Sequence, residues 1–433
     1  MSFVMTDLTV ERGELCMGGV SVAELARTYG TPLYVMDEDE IRANAGRYAR
    51  AMRTYYGENA LALYASKAFS CTAVYRTVQE CGMGADVVSG GELYTALRAG
   101  MQPENIFFHG NNKTEREIRE ALQAGVGCIV LDNRTELSSV SRIAGELGVT
   151  AQVSMRIKPG IDAHTHDFIA TGKIDSKFGV ALETGEAMEM VGEVLKTSNV
   201  HLRGFHCHIG SQIFDCEPFV CAAEVMLGFM RDVRDRYGVT PEDLNLGGGV
   251  GIRYLKSHDP LTIEDNVRAT ACAVKDAAAK YGLPLPRLLM EPGRSVVGNA
   301  GLTVYTVGSV KYIPGVRNYL SVDGGMTDNP RFALYEAAYE AVLPERPEAA
   351  RDTVYTVAGR CCESGDLLIR DASLPRTEPG ELLCVLSTGA YNYSMASNYN
   401  RVPKPPVVFL REGKHRQVVR RETYEDIVSA DVE

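Results

Sequence analysis

The residues that can do chemistry stand at the ends of apolar runs. Lys67 stands near the end of the run 61–69, which has no glycine or proline and predicts a buried strand. A lysine there has two readings. It is a solvated strand end, or an amine at the rim of an apolar pocket, where desolvation lowers its pKa and frees it to condense with a carbonyl. After it, at successive predicted strand ends, come Asp86, His109, Asp132, Arg156, His206 with His208, Gly247-Gly248-Gly249, Glu291 and Arg294. The triple glycine is either a tight turn or a loop whose backbone N–H groups approach a phosphate closely. Glu291, in Met290-Glu291-Pro292-Gly293-Arg294, either pairs with Arg294 or faces inward as an ionised partner for a ring nitrogen. An amine, a phosphate cradle and an inward carboxylate are together what pyridoxal 5'-phosphate requires.

The elements that must position this set follow a regular rhythm. Candidate strands at 61–69, 85–88, 105–109, 127–132, 151–157, 202–209, 243–247 and 287–291 alternate with helical patterns such as 37–55, 114–124, 134–147, 218–237 and 262–281. Eight strands with helical crossovers in about 255 residues predict a (β/α)8 barrel, with reactive groups at the C-terminal ends of its strands. No G-x-G-x-x-G follows the first strand, so a doubly wound sheet is the weaker alternative. After Gly301 the pattern changes to short β-type runs at 302–313, 318–322, 354–357, 382–386 and 407–410. The expected organisation is an α/β barrel domain over 35–299 and a separate all-β domain, sandwich- or barrel-like, from 1–34 with 300–433.

Bulk properties narrow the function. The 433 residues suffice for two full-sized cores. A net charge of −11 argues against nucleic acid as a partner and for a soluble, cytoplasmic protein. No apolar run approaches the ~18 residues of a membrane span, and the N-terminus lacks a basic-then-apolar signal pattern. Eleven cysteines, without a C-x-x-C pair, predict reduced thiols rather than a disulfide framework or a zinc ribbon.

Several stretches carry a resemblance. Tyr64-Ala-Ser-Lys67, Asp86-Val-Val-Ser-Gly-Gly-Glu92, Gly110-Asn-Asn-Lys113, Asp162-Ala-His-Thr-His166, Asp175-Ser-Lys-Phe-Gly179, His206-Cys-His-Ile-Gly-Ser-Gln212 and Glu291-Pro-Gly-Arg294 lie in the barrel; Cys362-Glu363-Ser364, Gly389-Ala-Tyr391 and Ser397-Asn-Tyr-Asn400 lie beyond it. Over nearly its whole length the chain resembles the diaminopimelate decarboxylase family, fold-type III pyridoxal-phosphate enzymes related to the ornithine and arginine decarboxylases. Phe69, Gly324 and Phe332 depart from the family's usual Asn, Ala and Pro.

The resemblance implies a carboxy-lyase (EC class lyase) that converts meso-2,6-diaminopimelate to L-lysine and CO2, the last step of lysine biosynthesis. It implies Lys67 as the cofactor's covalent anchor, with His208 stacked on its ring and His206 behind it. Asp86, Arg156, Ser211, Gly247, Gly248, Gly249, Glu291, Pro292, Gly293, Arg294 and Tyr391 complete the cofactor site. The D-configured end of the substrate meets the cofactor. Arg294 and Arg331 suit the remaining carboxylate through forked hydrogen bonds, with Tyr335 and Tyr391 beside them, Glu363 suits its ammonium, and Cys362 is the proton donor, although a buried thiol is its ordinary state. The family is homodimeric with composite sites, the Cys362–Ser364 loop reaching the partner's cofactor. The stretch 158–179 reads either as a lid or as a structural excursion. Rival readings are a related basic amino-acid decarboxylase, a metal-dependent barrel hydrolase using His164, His166, His206 and His208, and a non-catalytic pyridoxal-phosphate carrier. No metal is expected.

Overall fold

The computed structural model describes residues 3–161 and 176–432, so His164, His166 and most of the expected lid lie outside the described residues. The chain divides into two compact units, Asn44–Gly251 with Pro260–Ser295, and Met1–Ala43 with Ile252–Asp259 and Val296–Glu433.

The first unit is a closed parallel barrel. Its strands are β1 (Ala60–Ala65), β2 (Gly84–Val87), β3 (Ile106–Phe108), β4 (Cys128–Leu131), β5 (Ala151–Lys158), β6 (Val200–His206), β7 (Asp243–Asn245) and β8 (Arg287–Met290). Each pairs with the next, and β8 returns to β1 with Leu288 opposite Ala60. Leu63, Phe107, Cys128 and Leu289 meet inside the ring, so the barrel is a packed core and not a pore. At β6 the backbone of β7 leaves no room for a side chain, since a Cβ on Gly204 would lie 2.0 Å from the carbonyl oxygen of Asp243.

Local sequence sets the helix ends. Thr114 closes a capping box with Glu117 at the start of Glu115–Ala124, and Gly125 ends that helix in the left-handed region. Asn133 caps Arg134–Leu147 by accepting from the Glu136 N–H, and Gly148 ends that helix in the left-handed region. The expected strands overran at their C-terminal ends: those drawn to 209, 247 and 291 stop at His206, Asn245 and Met290. Lys67 is likewise not in β1 but in the 3-10 turn Ser66–Ala68 that follows it. The Ala65 N–H still donates to the Pro292 carbonyl, but Pro292 has no N–H to return, so the ladder ends there.

The second unit is built on the long strand Gly301–Ile313, bent at a register shift between Val307 and Ser309. It runs antiparallel to Leu33–Asp37, Arg317–Val322 and Leu382–Val385. The sheet extends through Thr353–Ala358 to Leu367–Leu374 on one side, and through Val407–Arg411 to Lys414–Val419 on the other. Leu33–Asp37 moves the expected boundary at 34/35 to 43/44, because these residues hydrogen-bond to Gly301–Val304 and Val407–Leu410. Ile252–Asp259, expected in the barrel, also belongs to this unit, where Ile252 and Tyr254 pack with Tyr305 and Tyr339. Gly324 has its own reason to depart from alanine: a Cβ would meet Tyr305 Cε1 at 2.3 Å and Asp328 Oδ2 at 2.6 Å.

Candidate active site

The C-terminal ends of the barrel strands converge on Glu291, the residue directly after β8. Its carboxylate is 7 % exposed and contacts side chains from three other strand ends. Oε1 lies 2.8 Å from His109 Nε2 and accepts from Asn245 Nδ2 at 2.6 Å; Oε2 lies 3.1 Å from His206 Nε2. Burial works to raise the Glu291 pKa, but His109 and His206 outweigh it and hold the group well below the usual carboxylate range. The two imidazoles differ. Desolvation pushes His206 down to about 4, against the pull of Glu291. Desolvation also works to lower His109, yet Asp86 and Glu291 together raise it. His109 Nε2 lies 3.9 Å from Asp86 Oδ1, and burial raises the pKa of that aspartate.

Glu291 therefore does not pair with Arg294. The Arg294 guanidinium donates through Nη2 to Ser211 Oγ at 2.8 Å, which brings together two residues expected at a phosphate. The glycine loop lies between Glu291 and the 208–211 segment. A Cβ on Gly248 would sit 2.1 Å from the Glu291 carbonyl oxygen, and one on Gly249 would sit 2.5 Å from that of Gly210. Gly247 and Gly249 have φ of +67° and +123°, in the region that favours glycine. The Gly247 N–H donates to Asn245 Oδ1 and the Gly248 N–H to His208 Nδ1, so these two residues contribute chiefly by lacking side chains. Gly293 is equally confined, a Cβ there lying 2.9 Å from that of Ala65.

Lys67 is exposed in its turn, and its charge acts on Asp86 and His208. Desolvation first, then the positive charges of Lys67 and Arg156, hold His208 well below the ordinary imidazole value, so it presents a neutral ring. Arg156 packs its guanidinium over the Phe178 ring at 4.4 Å. Lys113, from the Asn-Asn-Lys stretch, is structural. Its ammonium is buried against Glu136 at 3.0 Å and the carbonyls of Gly110 and Val130.

A pyridoxal phosphate fits this barrel mouth by its chemistry. It offers a reachable lysine, an ionised buried carboxylate for the ring nitrogen, a neutral imidazole, and a loop kept free of side chains beside Ser211 and Arg294. A metal centre fits less well. The Glu291 oxygens lie 2.8 Å from His109 Nε2 and 3.1 Å from His206 Nε2, whereas ligands on a tetrahedral zinc with bonds of about 2.0–2.2 Å must stand further apart. His206 and His208 do not act as a pair, since one meets Glu291 and the other the Gly248 N–H. Asn245 and His109 are the residues that the sequence pattern left unassigned. Their signal was position alone, at the ends of β7 and β3.

In the sheet unit, the Arg331 side chain is buried and donates through Nη1 to Tyr254 Oη and Tyr339 Oη, each at 2.9 Å. Its guanidinium also lies 5.9 Å from the centre of the Tyr391 ring. Among the described residues no carboxylate forms an ion pair with it. Tyr335 ends the short helix Arg331–Tyr335 and is half-buried. Cys362 and Glu363 are exposed on the loop between Thr353–Ala358 and Leu367–Leu374. That loop is pinned by the buried Asp366, which accepts from the N–H groups of Met326 and Cys361.

A closed barrel that brings a reachable lysine, a side-chain-free glycine loop beside Ser211 and Arg294, and an ionised buried carboxylate to one mouth has the groups that a pyridoxal-phosphate enzyme uses. The sequence model of the pyridoxal-binding domain of pyridoxal-dependent decarboxylases matches residues 38–298. The chain is 50% identical to the diaminopimelate decarboxylase of Bacillus subtilis over 422 residues, 98% of this chain and 96% of that one. It is 49% identical to the diaminopimelate decarboxylase of Halalkalibacterium halodurans, over 100% of this chain and 98% of the other. The crystal structure of the diaminopimelate decarboxylase from M. jannaschii in co-complex with L-lysine superposes with a TM-score of 0.91 at 36% identity, covering 100% of this chain and 99% of that one. The chain belongs to the diaminopimelate decarboxylase family of pyridoxal-dependent decarboxylases. Its cofactor is pyridoxal 5'-phosphate.

Proposed function

We propose that this chain decarboxylates meso-2,6-diaminopimelate at its D-centre, giving L-lysine and CO2, the closing step of lysine biosynthesis. The observation that carries the chemistry is the buried Glu291 carboxylate, held ionised between His109 and His206 at a barrel mouth that also presents Lys67. Pyridoxal phosphate, when bound, supplies the electron sink for the pair left behind as the carboxylate departs. Lys67, exposed in its turn, would hold the cofactor's carbonyl covalently. Glu291 favours a protonated ring nitrogen, and His208 covers one face as a neutral ring. Ser211 and Arg294 would hold the phosphate, with the segment Glu291–Arg294 and the Tyr391 hydroxyl beside them, while Asp86 and Arg156 complete the rest of the cofactor site.

Substrate choice rests on Arg331. Among the described residues this buried guanidinium is met by tyrosine hydroxyls and rings and by no carboxylate, and the second carboxylate of diaminopimelate provides a counter-charge. Tyr335 stands at the end of the same helix. Glu363 takes the ammonium and Cys362 returns the proton to carbon. Both are exposed on their own chain, which supports a cytoplasmic homodimer in which this loop serves the partner's cofactor. CO2 release from meso-diaminopimelate, L-ornithine, L-arginine and L-lysine, measured side by side, tests the assignment. Diaminopimelate is expected to be the preferred substrate; preference for ornithine or arginine makes the chain a basic amino-acid decarboxylase instead.

A further inference from the structure

Asn245 is the last residue of β7, is 2 % exposed, and touches both halves of the cofactor site. Its carboxamide spans two partners: Nδ2 donates to Glu291 Oε1 at 2.6 Å, and Oδ1 accepts from the Gly247 N–H at 2.9 Å. The partners fix which end is which. A carboxylate can only accept and a backbone N–H can only donate, so the amide nitrogen must face Glu291 and its oxygen must face Gly247. Among side chains of this length that are uncharged at neutral pH, only asparagine offers a donor and an acceptor in that order. Gly247 opens the loop that bends back to Gly210 and Ser211, while Glu291 carries the charge required at the ring nitrogen.

We infer that Asn245 is a positioning residue that locks the ring-end carboxylate to the phosphate-end glycine loop, so that the two ends of the cofactor are gripped as one unit. The inference rests on the reading of Glu291 as the ring-nitrogen partner. Two consequences follow from the chemistry of the bridge. Removing it loosens both ends together, so cofactor is lost before folding is. Replacing its amide nitrogen with an oxygen faces a carboxylate with another carboxylate, a repulsion that disappears when the new group takes up a proton and becomes a donor.

The test compares the holoprotein with Asn245→Ala, Asn245→Asp and Glu291→Gln, reading the dissociation constant of pyridoxal phosphate from its visible absorption band between pH 8 and 5.5. Thermal unfolding of each cofactor-free protein serves as the folding control. Asn245→Ala is expected to weaken cofactor binding roughly ten- to hundredfold, the size of a lost hydrogen bond to a charged group, with little pH dependence beyond that of the native protein. Asn245→Asp is expected to be weaker still at pH 8 and to recover towards the alanine variant, or past it, as the pH falls. Native-like affinity in Asn245→Ala overturns the inference, as does an aspartate variant that follows the alanine variant at every pH. If Asn245→Asp does not fold, Asn245→Ser decides: it can reach the Gly247 N–H but not Glu291, and native-like affinity in it overturns the coupling. Glu291→Gln separates the two levels. A native-like absorption spectrum and affinity in that variant removes the reading of Glu291 itself, whereas a perturbed Glu291→Gln beside a silent Asn245→Ala removes only the bridge.

Discussion

Individual residues in this protein are tuned by what surrounds them, and two of them give measurable consequences. Arg331 is buried with two tyrosine hydroxyls and no acid among the described residues, so its charge is left for a ligand to satisfy. Losing a hydrogen bond to a charged group costs about 1.5–3 kcal/mol. Arg331→Ala is therefore expected to raise KM for diaminopimelate by at least tenfold, and to narrow the preference over substrates without a second carboxylate; an unchanged ratio would mean that the carboxylate binds elsewhere. His206 gives a prediction in pH. Its folded pKa is depressed to about 4 by desolvation, so between the ordinary imidazole value and about 4 the unfolded chain binds a proton that the folded chain does not. Stability from this group is complete above about pH 6.5 and is lost as the pH falls towards 4, to a limit of about 3 kcal/mol. His109, with its pKa raised, has the opposite sense: its contribution is complete below about pH 6.5 and fades as the pH rises through its folded value. Denaturant titrations of the cofactor-free protein and of His206→Gln should thus diverge on the acid side, the native curve falling more steeply between pH 6.5 and 4.

Elements decide how such residues meet, and here the sequence was legible in unequal measure. The eight barrel strands were visible because each is a short apolar run, and most intervening helices because their apolar positions recur at helical spacing. Three of the helices between barrel strands, Thr72–Glu80, Gly90–Ala99 and Glu186–Val194, each of 9 or 10 residues, were not assigned. The strand Leu367–Leu374 was hidden because Arg370 and Asp371 interrupt its apolar residues on the exposed side. The chemistry-bearing strand ends could be named in advance, yet their pairings could not. Whether Glu291 meets Arg294 or His109 depends on how far each strand runs before it turns, and Pro292 and the glycines settle that in three dimensions. Gly248→Ala probes this level directly. Its Cβ would lie 2.1 Å from the Glu291 carbonyl oxygen, so the backbone after β8 must move. Such overpacking costs about 1–3 kcal/mol, and the displaced groups are those that grip the cofactor. Equilibrium dialysis of the variant should show cofactor affinity falling by tenfold or more, whereas an exposed control such as Gly308→Ala, whose added Cβ would meet nothing nearer than the Ser321 carbonyl oxygen at 3.8 Å, should bind as the native protein does.

At the scale of the whole molecule the open question is which chain completes which site. Lys67, His208 and Glu291 belong to the barrel unit, whereas Cys362 and Glu363 belong to the sheet unit and stand exposed on a loop held by Asp366. A thiol proposed as the proton donor that stands at the surface of its own unit, on a loop that is nonetheless firmly pinned, is what a two-fold dimer would use to reach a neighbour's cofactor. A chain that serves its own cofactor with the same loop is the alternative. Mixing separates the two. Lys67→Ala and Cys362→Ala protomers are each expected to be nearly inactive alone. Unfolded and refolded together, half of the dimers are mixed under random pairing, and each mixed dimer holds one site with both Lys67 and Cys362 intact. Activity should then return to about a quarter of native. If mixed dimers are shown to form by mass spectrometry and no activity returns, the loop acts within its own chain.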